Sequence, residues 1–306
     1  MTRWRTAGRI VGIALAVAVL AGAAGSAWLL RDPLAHFLQR RGALAGVAEG
    51  SPDTESGYRM TPVRVTGSRG LSVDLVVRRW VGDGDRRLPL VVVLGGHYRG
   101  RDAVRVLGDT RGVTVAALSY PFAGDPRPDA LTFLREIPQI RAAFLDTPPA
   151  AMLALDYLLR RPDVDTARVE AVGVSLGAPF MTIAGALDTR FTRVWAIHGS
   201  GGSYRPLEAN MRRSIPYAVL RVPAAAIASV IIAGPRLDPV RWAPRIAPRP
   251  FIMVNAEDDE RLPREAIDAL YRSARQPKEL IWMPGIHVHG DSATIQRLVA
   301  IVLSRM

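Results

Sequence analysis

Val169-Glu170-Ala171-Val172-Gly173-Val174-Ser175-Leu176-Gly177-Ala178 is the stretch whose reading decides the fold. An apolar run of the kind that forms a buried strand breaks at Gly173-Val174-Ser175-Leu176-Gly177, and a helical pattern begins at once. The string is G-x-S-x-G in a strand, sharp turn, helix context. There the turn lifts the serine oxygen out of the sheet, and the two glycines leave room where side chains would clash. About 0.1 such strings are expected by chance in a chain of this composition, so the meaning of Ser175 rests on what the rest of the sequence supplies.

Outward from that turn, strands alternate with helices. Arg59–Thr66 and Ser72–Trp80 alternate apolar and polar residues, as an antiparallel pair of half-buried strands does. Leu88–Leu94, Val113–Leu118, Val169–Val172, Phe191–Ile197, Pro250–Asn255 and Glu279–Met283 are short, nearly continuous apolar runs, the texture of central parallel strands. Helical patterns cover Pro148–Arg160, Leu176–Leu187, Arg264–Ser273 and Ser292–Leu303. The expected fold class is therefore α/β: a mostly parallel, doubly wound sheet with helices on both faces. Residues 200–249 interrupt the alternation and read as a helical cap. Within them, Ile215–Gly234 is almost uncharged apart from Arg221, which makes an apolar lid meeting lipid or an acyl chain the sharper alternative. Arg221 itself argues against a second membrane span, at about 2.5–3.5 kcal/mol near a bilayer centre.

The N-terminus has a different character. Arg3, Arg5 and Arg9 precede Ile10–Leu30, which carries no charge and is long enough to cross a hydrocarbon core as a helix. Residues 1–31 are expected to be a membrane anchor with the arginines inside, leaving the main domain extracytoplasmic. The alternative is a cleaved signal peptide, with small-residue sites near Ala21-Gly22-Ala23, giving a secreted or periplasmic protein. Residues 32–57 read as a linker in which Leu34–Leu44 could form a short helix, and 58–306 as the main domain.

Composition narrows the chemistry. The chain has 306 residues, no cysteine and a formal charge of +12, with Lys278 as its only lysine. Thiolate nucleophiles, disulfides and cysteine metal sites are excluded. The arginines are scattered, and no nucleic-acid-reading motif accompanies them, so no nucleic-acid partner is expected. Neither H-E-x-x-H nor an equivalent metal spacing occurs, and no cofactor or metal is expected; His287-x-His289 with Asp291 comes nearest.

A serine hydroxyl is a poor nucleophile at neutral pH. It needs an imidazole to take its proton and a carboxylate to hold that imidazole in the right tautomer. Both residue types occur in the right places. Four acids, Glu257 to Glu260, follow the apolar strand ending at Asn255, and His287 and His289 follow the last strand. Sites in open parallel sheets form at such strand ends.

In this order of motifs the chain from Tyr58 to Met306 resembles the α/β-hydrolase superfamily, especially its dienelactone-hydrolase-like and acyl-thioesterase/acyltransferase C-terminal branches. The resemblance implies a triad in the order Ser, acid, His. Ala256-x-x-Asp259-x-x-Leu262-Pro263 matches the family's acid motif, which makes Asp259 the acid with Asp258 in reserve. Gly285-Ile286-His287 matches its Gly-x-His, which makes His287 the base with His289 as the alternate. The implied oxyanion donors are the backbone amides of Leu176 and His97, although Gly95-Gly96 stands where the family usually has His-Gly. His198 ends a core strand and could line the pocket. The implied activity is cleavage of a small-molecule ester or thioester through an acyl-enzyme, with a hydrophobic acyl group hinted at by the insertion. Acyl transfer or peptide cleavage by the same triad are the alternatives. A non-catalytic binding relative would carry a damaged triad, and all three positions are filled.

Overall fold

A computed structural model describes residue 25 and residues 31–96, 100–124, 129–288 and 291–306. The expected membrane segment, residues 10–30, lies outside these apart from Gly25. Among the described residues no helix is long and apolar enough to cross a membrane.

Helix α1 (Leu34–Arg41) and strands β1 (Leu44–Glu49) and β2 (Asp53–Glu55) precede the antiparallel pair β3 (Tyr58–Gly67) and β4 (Ser72–Trp80). Then come β5 (Leu88–Leu94), β6 (Thr114–Leu118), α2 (Ala130–Leu158), β7 (Val164–Val174), α3 (Gly177–Leu187) and β8 (Arg193–Ile197). The insertion contributes α4 (Tyr204–Asn210) and α5 (Ala218–Ile231). The chain ends with β9 (Phe251–Ala256), α6 (Arg264–Ser273), β10 (Lys278–Met283) and α7 (Ser292–Leu303). The strands form one sheet in the order β1-β3-β4-β6-β5-β7-β8-β9-β10, with β2 paired to β3. From β6 to β10 every pairing is parallel, and the β1–β4 end is antiparallel, as is the β4–β6 pairing.

Side chains alternate across this sheet into two apolar layers. Leu90, Val92, Leu94, Ala171 and Met253 face α2, α3 and α6. Val91, Val93, Val115, Val172, Ile197 and Val254 face the other way, where α7 supplies Leu298 and Val302. Burial on both faces is why these strands read as unbroken hydrophobic runs.

Two expectations need correction. Residues 32–57 are not a linker: Phe37 of α1 is fully buried against Trp242, and Arg40 grips Asp146 of α2 through three hydrogen bonds of 2.8–3.0 Å. β1 adds to the sheet edge by antiparallel pairing with β3, from Leu44↔Gly67 to Glu49↔Val63. Its residues are almost all exposed, so it lacks the apolar alternation that reveals a strand. Helix α2 begins at Ala130 rather than Pro148, because it runs through Pro138, Pro148 and Pro149. Proline is a start signal in sequence, whereas here Asp129 caps the helix, accepting the Thr132 N–H at 2.8 Å.

Candidate active site

Each element of the site leaves the C-terminal end of a parallel strand: Ser175 after β7, His198 after β8, Asp259 after β9 and His287 after β10. The turn at Ser175 is as tight as the sequence implies. A Cβ on Gly173 would lie 2.6 Å from the Ala178 Cα, and one on Gly177 would run into the backbone carbonyl of Leu94. Ser175 has φ +53°, in the left-handed region that non-glycine residues seldom occupy. Its N–H donates to the Ile197 carbonyl at 2.8 Å, and its carbonyl accepts from Ala178 at 3.0 Å. Strain held by such bonds is typical of residues whose side chain must be aimed.

The Ser175 Oγ lies 2.8 Å from His287 Nε2, and His287 Nδ1 lies 2.8 Å from Asp259 Oδ2. An ionised carboxylate only accepts, so Nδ1 carries the proton and Nε2 is left as the acceptor facing the serine hydroxyl. The structure thus brings Ser175, Asp259 and His287 together. Asp258 stays on the exposed rim, where its backbone N–H donates to the Gly285 carbonyl. His97 and His289 lie outside the described residues. Leu176 begins the first turn of α3, where helical N–H groups lack intrahelical partners and point outward. Gly96 is close by, since a Cβ there would stand 3.5 Å from the Ser175 Cβ. The loop carrying it is tied down by the buried Tyr120 hydroxyl, which donates to the Gly95 carbonyl at 2.8 Å.

His198 is more than a pocket-lining residue. Its Nδ1 donates to the same Asp259 Oδ2 at 3.0 Å, and its ring stands 4.7 Å from that of His287. Asp259 Oδ1 accepts the N–H groups of Arg261 at 3.0 Å and Leu262 at 2.9 Å. The side chain is only 2% exposed, yet it accepts four hydrogen bonds. Burial pushes the Asp259 carboxyl up, but the bonds from His198 and His287, the pull of His287 when it is protonated and the Arg261 amide outweigh it and hold the group well below the usual carboxylate range. Burial also pushes the His198 imidazole down, against the pull of Asp259, so it acts as a neutral donor near pH 7. Its φ of +47° is one that histidine tolerates better than most residues. Glu260 contributes as well, since its Oε2 accepts the His287 backbone N–H at 3.0 Å and so fixes the loop that presents the imidazole.

His198 and His287, which follow different strands, therefore converge on one carboxylate. Among the described residues, His198, Asp259 and His287 are the group with ligand atoms close enough, within 4.8 Å, to hold a metal. Their bonding fits proton relay instead. Both Nδ1 atoms are committed as donors to one carboxylate oxygen, and the remaining His287 nitrogen faces a serine.

A cavity of about 850 Å³ opens at Ser175. Leu207 and Pro206 of α4, with Ile232, Gly234 and Leu237 beyond α5, line one wall of it.

No family model and no curated protein matches the chain. Solved structures match it in fold. The acetyl xylan esterase from Paenibacillus sp. R4 aligns with a TM-score of 0.63 at 17% identity, over 88% of this chain and 92% of that one. The glucuronoyl esterase from Solibacter usitatus aligns at 0.52 and 14% identity, over 87% and 91%. The α/β hydrolase GrgF from Penicillium sp. sh18 aligns at 0.53 and 17% identity, over 85% and 99%. The chain has the α/β-hydrolase fold.

Proposed function

We propose that this protein is a serine hydrolase that cleaves a carboxylic ester or thioester through a covalent acyl-enzyme. The observation that carries the reading is the unbroken chain from Ser175 Oγ to His287 Nε2 and from His287 Nδ1 to Asp259 Oδ2, both links 2.8 Å long. Ser175 Oγ attacks the acyl carbon while its proton passes to His287 Nε2. The resulting oxyanion is held by the Leu176 amide and, in the assignment implied by the sequence, the His97 amide. The carbon–oxygen or carbon–sulfur bond then breaks, and His287 returns the proton to the leaving group. Water, deprotonated by the same imidazole, attacks the acyl carbon and releases the acid. Asp259 stays ionised throughout, holding the tautomer and balancing the imidazolium. Neighbours of this fold that carry esterase names support the ester as the substrate bond.

The test is a fluorophosphonate probe together with p-nitrophenyl acetate, applied to the wild type and to Ser175→Ala. Labelling and turnover of the wild type alone are expected. Equal labelling of both proteins, or none of either while both are folded, refutes the reading.

The uncharged segment Ile10–Leu30 belongs to the same proposal as a membrane anchor that leaves the catalytic domain outside the cytoplasm. Mass spectrometry of the mature protein decides it: recovery of the N-terminal peptide is expected, and a chain starting near Ala24–Trp28 would show a cleaved signal.

A further inference from the structure

The cavity at Ser175 has two arms. One lies beneath the cap, where Leu207, Ile232 and Leu237 stand beside Ser200, Ser203 and Asn210 in a mixed wall. Ser203 Oγ is bonded to Ser229 Oγ at 2.6 Å, and the Asn210 amide donates to the Pro206 and Arg261 carbonyls, so this arm carries polar groups among its apolar ones. The other arm runs away from the cap, between the sheet and α7. Val91 and Val93 of β5, Val115 of β6 and Val172 of β7 form its floor, and Leu298 and Val302 of α7 its roof. Among the described residues the polar side chain in its wall is Thr110, whose hydroxyl accepts from the Arg78 guanidinium.

The topology explains why space remains there. β5 and β6 are parallel neighbours, a pairing that usually requires a crossover helix packed on the sheet. Among the described residues this crossover holds a short 3₁₀ segment, Gly100–Val106, which contributes Ala103 and Val104 to that layer. Cores are ordinarily packed to the density of organic crystals. Cavities lined by aliphatic side chains alone stay dry and take up apolar ligands. From Ile295 to Leu303 along α7, both of which line the cavity, the arm spans about 12 Å at ~1.5 Å per residue.

We propose that the arm between the sheet and α7 is the acyl-chain site for a medium- to long-chain ester, and that the alcohol portion lies in the mixed arm under the cap, where polar groups are within reach. This assignment rests on the ester-hydrolase reading and names its substrate class. The acyl carbon sits at Ser175, where the arms meet, and the chain extends along Val93 and Val91 towards Val302. Since the described side chains of the arm are aliphatic apart from Thr110, each methylene buried against them adds apolar burial of about 0.8 kcal/mol.

The first test is the chain-length profile of p-nitrophenyl acetate, octanoate and palmitate. kcat/KM is expected to rise by at least tenfold from acetate to octanoate. Val302→Phe, which fills the arm, should lower kcat/KM for octanoate and palmitate by roughly tenfold or more and leave acetate within about twofold. Val91→Leu adds a single methylene and serves where the larger substitution fails to fold, with the same ordering expected. A wild-type profile that declines from acetate onward, or variants that reduce all three esters alike, overturns the acyl-site assignment. The second test needs no turnover: binding of cis-parinaric acid to Ser175→Ala, read by its fluorescence, should weaken at least tenfold when Val302→Phe is added. If no ester is cleaved but this binding is found, the hydrolase reading fails and the apolar site stands. If acetate is cleaved and the fatty acid does not bind, the site fails and the hydrolase reading stands.

Discussion

Asp259→Asn exposes the logic of the site, because the carboxylate accepts on both sides. Oδ2 takes the Nδ1–H of His287 and of His198, and Oδ1 takes the N–H groups of Arg261 and Leu262. An asparagine has one oxygen and one NH₂ group, and either orientation places donors against donors. The backbone amides cannot change, so the oxygen takes the Oδ1 position and the NH₂ faces the two imidazoles. His287 must then present Nδ1 as an acceptor and move its proton to Nε2, where it can no longer take the serine proton. Loss of the working tautomer by the same substitution in a serine triad costs about 10⁴ in kcat, and a fall of ~10³–10⁴ is expected here with KM nearly unchanged. Stopped-flow or long-time assays with p-nitrophenyl acetate measure it, fluorophosphonate labelling gives an independent rate, and thermal unfolding checks that the protein is folded. Asp258→Asn, on the exposed rim, should keep wild-type kcat within about twofold. A loss below tenfold in a folded Asp259→Asn protein, or a larger loss at Asp258, would refute the assignment of the acid.

Three further outcomes follow from the same geometry. Gly177→Ala pushes a Cβ into the Leu94 carbonyl; overpacking of this kind costs about 1–3 kcal/mol, so the unfolding temperature should drop by several degrees and esterase activity with it, and unchanged melting would contradict the close approach. For pH, the His198 pKa is lowered from 6.5 on folding, so the unfolded chain binds more protons below that value; its contribution is complete above pH 6.5 and is lost as pH falls, and urea midpoints should decline between pH 7 and 5 less steeply in His198→Gln than in the wild type. Asp259 adds a second loss below its ordinary 3.8, because its folded pKa is also depressed. Arg141 of α2 donates to the Val230 and Ile231 carbonyls at the end of α5; Arg141→Ala should loosen the cap, raising KM severalfold and speeding limited proteolysis near α5 while kcat changes little, and an unaltered cleavage pattern would show that this tie does not hold the cap.

Much of the site was legible because its residues are governed by local rules. β5, β6, β8, β9 and the second half of β7 are buried on both faces, so they stand out as apolar runs, and the residues of the candidate site lie just beyond strand ends. Ser175 comes with glycines whose necessity is steric, Asp259 lies in the turn between a strand and a proline-led helix, and His287 follows Gly285. Elements whose stability comes from tertiary contact were less visible. β1 has no apolar face of its own and exists by pairing with β3. α1 is held by Phe37 beneath Trp242 and by Arg40 on Asp146, partners more than 100 residues away. The role of His198 was hidden for the same reason: a lone histidine at a strand end reveals nothing until the loop after β9 brings Asp259 beside it.

The apolar arm was illegible for a different reason, and that reason bears on how substrate choice is encoded in this chain. Val91, Val93, Val115 and Val172 read as core valines, and they are core valines. The same strand pattern serves a sheet face packed by a helix and one that leaves an apolar channel. What distinguishes the two is the covering layer: a 3₁₀ segment at Gly100–Val106 and α7 share a face that a full crossover helix would otherwise fill. Specificity of this kind is carried by how a connection packs on the sheet rather than by any residue touching the scissile bond. The triad and the acyl site can therefore vary independently, and neighbours of the same fold with acetyl or glucuronoyl substrates in their names do not fix the chain length accepted here. Lengthening the Gly100–Val106 connection into a packed helix would be expected to close the arm and leave the bond between Ser175 and His287 as it is.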